Sequence, residues 1–365
     1  MLPVVWVLGT SGVGKSTAGY RMLSELAARG VTAAFVDADQ LRLARGVAAS
    51  ETELIASSMP ALSDGYRAQG ARVLVVAGLA DDRDHLSRLL PGVPRERVLA
   101  VWLEADDDAV RERIRRRGWL VHLADDAVAH AARIDPAVAD LRLDTTGLTP
   151  AEVAARITGP ALAHLEIASG HHGTRPVHGA TAVPRRVVLV TGPGGAGVST
   201  IGYQVVARLA RAGEPVGYLD AHQLRFLGTS VGDDRLAGLR ARNVRAVAGG
   251  LVRGGARTVV VGGDVPTVRR LGVVRGAEQV RLFWLHASPD ALAERVTSRA
   301  GGGGPPVAGD RRLGLTGRAL ADAIAAAVRE SGCARPSGAE VVDTTGRDPA
   351  QVAEAIVASL SAQPR

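Results

Sequence analysis

Along the chain, short aliphatic and β-branched runs (VVWVLG, AAFVD, RVLVVAG, VLAVWLE, LRLD) alternate with longer Ala-, Leu- and Arg-rich segments whose apolar positions recur at helical spacing. Strands that are apolar at consecutive positions, rather than at every second one, are covered on both faces. The alternation therefore predicts an α/β fold, a parallel sheet with helices on both sides. The order of elements then occurs a second time. GTSGVGKS at 9–16 pairs with GPGGAGVS at 192–199, FVDADQLR at 35–42 with YLDAHQLR at 218–225, and GARVLVVAG at 70–78 with GARTVVVGG at 255–263. VWLEADDDAVRERI at 101–114 pairs with FWLHASPDALAERV at 283–296, and LDTTGLTPAEVAARI at 143–157 with VDTTGRDPAQVAEAI at 342–356. The offset stays between 182 and 199, so insertions fall in loops. Two tandem domains are expected, 1–157 and 185–365. Residues 158–184, rich in Gly, Pro, Ala and His, are read as a linker. The last helix of each copy should start at a capping residue followed by proline, Thr149-Pro150 and Asp348-Pro349.

The strand VVWVLG runs into Gly9-Thr10-Ser11-Gly12-Val13-Gly14-Lys15-Ser16-Thr17 and then into a helical segment closed by Gly30. Strand, glycine loop, Lys-Ser and helix in that order form a phosphate cradle. Backbone N–H groups and the helix N-terminus face the anion, Lys15 reaches the β- and γ-phosphates, and Ser16 offers an oxygen to magnesium. ATP and Mg²⁺ are the expected ligands, against a glycine turn of purely structural origin. Lys15 is the single lysine of the chain; every other basic residue is arginine. A compact ammonium at that one position suits a phosphate cradle better than a planar guanidinium. The second loop has Val198 there.

Asp37 and Asp39 stand at or just past the end of the second strand, where ligands of open α/β sheets sit. A carboxylate there can hold magnesium, for which Asp37 is the candidate beside Ser16, or take a proton from an attacking hydroxyl. Arg42 can bind an anionic acceptor. The competing reading is an Asp turn beside a solvated arginine. The second copy keeps Asp220, Gln223, Leu224 and Arg225 but has His222 for Asp39.

These features together, a Walker loop, Asp-x-Asp-x-x-Arg after the second strand, arginines on the helix after the fourth strand and a closing Asp-Thr-Thr, resemble the adenylylsulfate kinase group of P-loop kinases over about 150 residues of each half. The resemblance implies that residues 9–17 bind MgATP, that Asp37, Asp39 and Arg42 face the acceptor, and that Arg113, Arg116 and Arg117 belong to a lid over the transferring phosphoryl group. AGLADDRD at 77–84 replaces the family's signature after the third strand. The stretch 239–258, LRARNVRAVAGGLVRGGART, is similar to its Arg/Asn acceptor helix. The expectation is phosphoryl transfer from MgATP to a small hydroxylated acceptor by the first copy, with the second catalytically poor but open to weak nucleotide or anion binding. The alternative is an ATP-responsive switch coupled to a binding module.

Composition trims this picture. A net charge of +7 raises the question of nucleic acid, but the arginines are scattered and aromatics are only 3%, which argues against a polynucleotide partner. One cysteine excludes an internal disulfide; with no signal-like start and no apolar run long enough to span a bilayer, a cytoplasmic protein without a membrane partner is expected. His164, His171, His172 and His178 lack acidic or thiol companions at ligand spacing and are read as ordinary linker histidines. Docking of the two copies on each other is left open.

Overall fold

The computed structural model describes residues 1–118, 120–168, 182–229, 235–264, 276–305, 307–333 and 335–362. The first half runs β1 (Val4–Leu8), α1 (Lys15–Ala27), β2 (Ala33–Asp37), β3 (Ala44–Arg45), α2 (Glu51–Arg67), β4 (Val73–Ala77), α3 (Arg83–Leu89), β5 (Val98–Glu104), α4 (Asp107–Arg117), α5 (Ala124–Ala131), β6 (Leu141–Asp144) and α6 (Pro150–Ala168). The second half runs β7 (Arg186–Thr191), α7 (Val198–Arg211), β8 (Val216–Asp220), α8 (Arg235–Arg253), β9 (Thr258–Gly262), β10 (Gln279–His286), α9 (Pro289–Ala300), α10 (Gly317–Ser331), β11 (Glu340–Asp343) and α11 (Pro349–Ser361).

Each half builds a parallel sheet, in the orders β2-β4-β1-β5-β6 and β8-β9-β7-β10-β11, and the fold is α/β as expected. Strand order reverses at β1 and at β7, which opens a crevice at the carboxyl ends of those strands, where the two glycine loops begin. Side chains alternate between the two sheet faces. Val4, Trp6 and Leu8 enter one core cluster, while Val5 and Val7 enter another on the opposite face.

The first of these cores is shared between the halves. Leu54, Ile55, Met59, Leu62 and Tyr66 of α2 meet Leu236, Leu239, Val244, Val247 and Leu251 of α8, with one face of each sheet closing above and below. Burial of each such side chain contributes roughly 1.5–3 kcal/mol, so separating the halves would expose a layer that neither could cover alone. The connections after the second strands also cross over. Tyr218 N–H donates to the Leu43 carbonyl (2.7 Å), and Phe35 N–H donates to the Phe226 carbonyl (3.1 Å). Both residue pairs are related by the 183-residue offset of the glycine loops, so the contact has the reciprocal form of a two-fold interface. As part of this crossing, β3 adds an antiparallel edge strand to β8 of the other half.

The stretch expected as a linker begins as helix. α6 continues to Ala168 across Pro160, with Thr158 Oγ1 bonding back to the Ala154 carbonyl (2.8 Å) and Ala161, Leu165 and Ala168 buried. Packing of that face outweighs the helix-breaking tendency of proline. His171, His172 and His178 lie outside the described residues. His164 lies on α6, and burial lowers its pKa. The predicted caps form: Thr149 and Glu152 exchange hydrogen bonds at the start of α6, and Asp348 and Gln351 do so at the start of α11. No helix among the described residues is long and apolar enough to cross a membrane.

Candidate active site

Residues 9–17 wrap from β1 into the N-terminus of α1. At Gly9 the chain passes so close to β5 that a Cβ would stand 2.4 Å from the Leu103 carbonyl oxygen, at φ +137°, so only glycine fits. Thr145 Oγ1, just past β6, lies 3.0 Å from the Glu104 carbonyl and 3.2 Å from the Val13 carbonyl, so its one proton is shared between the end of β5 and the loop. Lys15, the first residue of α1, is partly buried and turns Nζ onto the Thr10 carbonyl at 2.7 Å. Burial lowers its pKa, opposed by the charges of Asp39 and Asp37, and among the described residues no carboxylate forms an ion pair with it. A desolvated ammonium satisfied by a single carbonyl has unused donors, and a phosphate at the loop would supply the missing counter-charge.

Ser16 Oγ donates to Asp37 Oδ2 at 2.6 Å. Burial, then the neighbouring charge of Asp39, raises the Asp37 pKa to about 6. This hydroxyl and carboxylate, adjacent to the loop, are the two oxygen donors a magnesium ion on a nucleotide requires from protein, and the cation would stabilise the charged form of Asp37. The residues present fit MgATP.

Asp39 is more exposed. Its N–H is taken by Asp37 Oδ1 (3.0 Å), and its carboxylate accepts from Arg42 Nε (2.8 Å). Arg42 is also paired with Glu51. Loop, Asp37, Asp39, Arg42, Arg113, Arg116 and Arg117 all border one cavity of about 930 Å³. The arginines are used differently. Arg113 places both terminal nitrogens on Thr145, at 3.0 Å to Oγ1 and 2.6 Å to the carbonyl, which makes it a brace for the loop that Thr145 supports. Arg116 is 79% exposed and pairs with Glu112. Arg117 reaches the loop itself, donating to Ser11 Oγ at 3.1 Å, while its buried Nε has no partner.

Sequence reasoning missed three sets of residues. Asp81, at the end of the loop after β4, accepts from His130 Nε2 (2.7 Å) and faces His85 Nδ1 (3.2 Å), and His130 borders the cavity. Isolated histidines on two helices give no periodic signal, and only the fold brings them to one carboxylate. Thr145 was seen as part of Asp-Thr-Thr but not as the loop's brace. Arg299, Gly302, Gly304, Ala308, Asp310 and Leu313 of the second half, which border the same cavity, could not be assigned to it from sequence.

The second glycine loop keeps part of this arrangement. Ser199 Oγ donates to Asp220 Oδ2 at 2.6 Å, and His222 N–H to Asp220 Oδ1 at 2.9 Å. Burial lowers the His222 pKa. Gly194 N–H, however, donates to Glu330 Oε2 at 2.9 Å, so one of the chain's own carboxylates lies on a donor of the loop that had been left open to an anion.

No protein-family model matches the chain, and no curated protein matches it. Among solved structures it is similar to a sugar kinase from Janibacter sp. HTCC2649 (20% identity, 47% of this chain and 98% of that one, TM-score 0.33). It is also similar to a gluconokinase from Sinorhizobium meliloti 1021 (22% identity, 46% and 95%, TM-score 0.29). A third is the APS kinase of Mycobacterium tuberculosis in complex with AMPPNP and APS (19% identity, 45% and 98%, TM-score 0.31). Each likeness covers under half of this chain.

Proposed function

We propose that the first half is an ATP-dependent phosphotransferase domain acting on a small hydroxylated acceptor, and that the second half is a diverged copy of the same unit, arisen by tandem duplication. The observation that carries the reading is Lys15: the only ammonium side chain of the protein, desolvated in a glycine loop, beside the Ser16–Asp37 pair and at the wall of a large cavity. MgATP, when bound, supplies the phosphoryl group and the metal's charge. Loop N–H groups, Lys15 and Arg117 then neutralise phosphate oxygens, and Ser16 and Asp37 hold the cation. The acceptor hydroxyl attacks the γ-phosphorus, its P–O bond forming as the bond to the ADP oxygen breaks. The hydroxyl proton passes to Asp39, which is exposed enough to release it to water, while Arg42 keeps that carboxylate aimed at the cavity.

A second reading, an ATP-responsive switch whose second half binds a ligand, is favoured by one feature. Burial, followed by the charges of Arg311 and Arg240, lowers the pKa of Arg225, and the 7%-exposed Arg240, paired with Asp264, leaves a buried Nε without a partner. Guanidinium groups crowded in this way suit an anion. ADP release by the whole chain, measured against nucleosides, sugars, adenylylsulfate and small alcohols, separates the two readings. Stimulation by one acceptor class supports the phosphotransferase; slow, acceptor-independent hydrolysis supports the switch; no MgATP binding overturns both.

A further inference from the structure

The offset between the two halves grows from 182 to 199 between α9 and β11, so the second half carries extra chain there. Part of it, residues 301–305 and 307–314, reaches out of its own half as an arm. Gly302, Gly304, Val307, Ala308, Asp310 and Leu313 border the first half's cavity together with the Lys15 loop, and Ala308 packs on the first half's core. The arm is fixed along its length. Arg299 pairs with the nearly buried Asp310 and donates to the Gly303 carbonyl (2.7 Å), and Gln223 Nε2 donates to the Ala308 carbonyl (3.3 Å).

At Gly309 the arm lies against Tyr20 of α1 and Phe226, and Phe226 itself packs edge-on against Tyr20 and tilted against Phe35 of β2, with centroids 5.1 and 5.9 Å apart. The arm therefore stands at the β2 side of the cavity, the side of Asp37 and Asp39. Leu148, Pro150 and Val153, which follow β6, border the cavity from another part of the sheet. The arm's other end returns to the second glycine loop, where the Arg312 guanidinium lies so near Gly194 that a Cβ there would be 1.9 Å from Nη2. Glu330 occupies the Gly194 N–H beside it.

We propose that this arm is the acceptor-side wall of the first half's site, so that the second half shapes its neighbour's ligand pocket and uses its own glycine loop as the arm's footing. The idea rests on the reading of the first half as a nucleotide site, and its test is arranged to separate the two. Gly309 has φ +66°, and a Cβ there would come within 2.7 Å of Phe226 and 2.9 Å of Tyr20, so Gly309→Ala lifts the arm off α1. Gln223→Ala is the milder variant, removing the bond to Ala308 together with a nearly buried side chain that itself borders the cavity. Gly238→Ala, on a helix of the same half with open space around it, is the control.

Hydrogen exchange of the whole chain without ligand is read first. Gly309→Ala should speed exchange about tenfold in 301–314 and also in residues 9–17 and the first turns of α1, with Gln223→Ala giving a smaller change of the same pattern. With MgATP, acceptor-independent hydrolysis should rise at least about fivefold, because an opened acceptor side admits water, while Kd for MgATP stays within about threefold. Faster exchange confined to 301–314 in both variants, or hydrolysis no higher than in Gly238→Ala, would overturn the wall. If the wild type binds no MgATP, the nucleotide reading falls, and the exchange pattern alone still decides whether the arm supports the loop. If Gly309→Ala does not fold, Gln223→Ala decides by the exchange readout, since its own side chain borders the cavity.

Discussion

Asp37 is the group through which pH should act most visibly on the ligand-free protein. Its folded pKa is raised from an ordinary 3.8 to about 6, first by burial and then by Asp39. The folded state therefore holds this proton more tightly than the unfolded state, so the group's contribution to stability is full below pH 4 and is lost as pH rises toward 6. A shift of about two units corresponds to roughly 3 kcal/mol, and coupling to Asp39 with residual solvent contact brings the usable figure to about 2 kcal/mol. Asp37→Asn removes the buried charge and keeps one carbonyl oxygen, for the Asp39 N–H, while its amide NH2 takes the place of Oδ2 and donates to Ser16 Oγ, reversing that bond. The variant should melt about 2–3 °C above wild type at pH 8 in the presence of a chelator, and the difference should vanish near pH 4. The gain should come with a loss. Magnesium needs the charged oxygen, so the Mg²⁺-dependent part of ATP affinity should drop at least about tenfold in calorimetry. A pH-independent difference in Tm, or a wild type more stable than the variant at pH 8, would show that the carboxylate is not penalised by burial and that the raised pKa is wrong.

Lys15→Met should leave the fold intact and weaken MgATP binding roughly 10- to 150-fold, the loss expected for charge-assisted bonds to phosphate; affinity within threefold of wild type would remove the loop from the nucleotide site. Arg113→Ala should lower stability by about 1–3 kcal/mol through loss of both bonds to Thr145, whereas Arg117→Ala should cost turnover with little change in Tm; the reverse pattern would return Arg113 to the lid. Asp39→Asn should cut acceptor-dependent turnover while MgATP affinity holds within a few-fold, and unchanged turnover would rule it out as the proton acceptor. Val198→Lys should not give the second half MgATP binding unless Glu330→Ala accompanies it, as titration of a Lys15→Met background would show.

The central strands were legible because a doubly covered strand has to be apolar at consecutive positions and these runs are β-branched, unlike the alanine-rich run Ala323–Val328 of α10; the two-residue β3 has no such run. β2 ends at Asp37 as expected, since a polar turn punctuates that run, whereas α1 begins at Lys15, within the 9–17 loop rather than after it. The helix through 158–168 was hidden by Gly159 and Pro160, whose local preference is overridden by the burial of Ala161 and Leu165 in a core that only the assembled fold provides. The shared α2–α8 core was likewise invisible, because an amphipathic helix announces a buried face without saying which element covers it. Arg113 and Arg117 read alike on one basic helix; four residues, about one turn, separate a brace on Thr145 from a side chain on the loop.

Because the two halves share an architecture, each feature of the first can be weighed against its counterpart, and the comparison narrows what the chemistry can rest on. The Ser–Asp hydrogen bond is 2.6 Å in both halves, and the turn N–H on the aspartate is 3.0 Å in one and 2.9 Å in the other. Arg295 grips Thr344 as Arg113 grips Thr145, at 2.6 Å to the carbonyl in each. Features present equally where the lysine is missing are sufficiently explained by the folding of a strand end and a loop, so by themselves they do not mark catalysis. What differs is Lys15 against Val198, Asp39 against His222, and Arg117 on its loop against Arg299 held by Asp310. Lys15, Asp39 and Arg117 border one cavity, where the proposed reading puts phosphate oxygens and an acceptor hydroxyl, and Arg299, the counterpart of Arg117, borders that same cavity while held by Asp310. A reaction centre needs the coincidence of those first three; a scaffold does not.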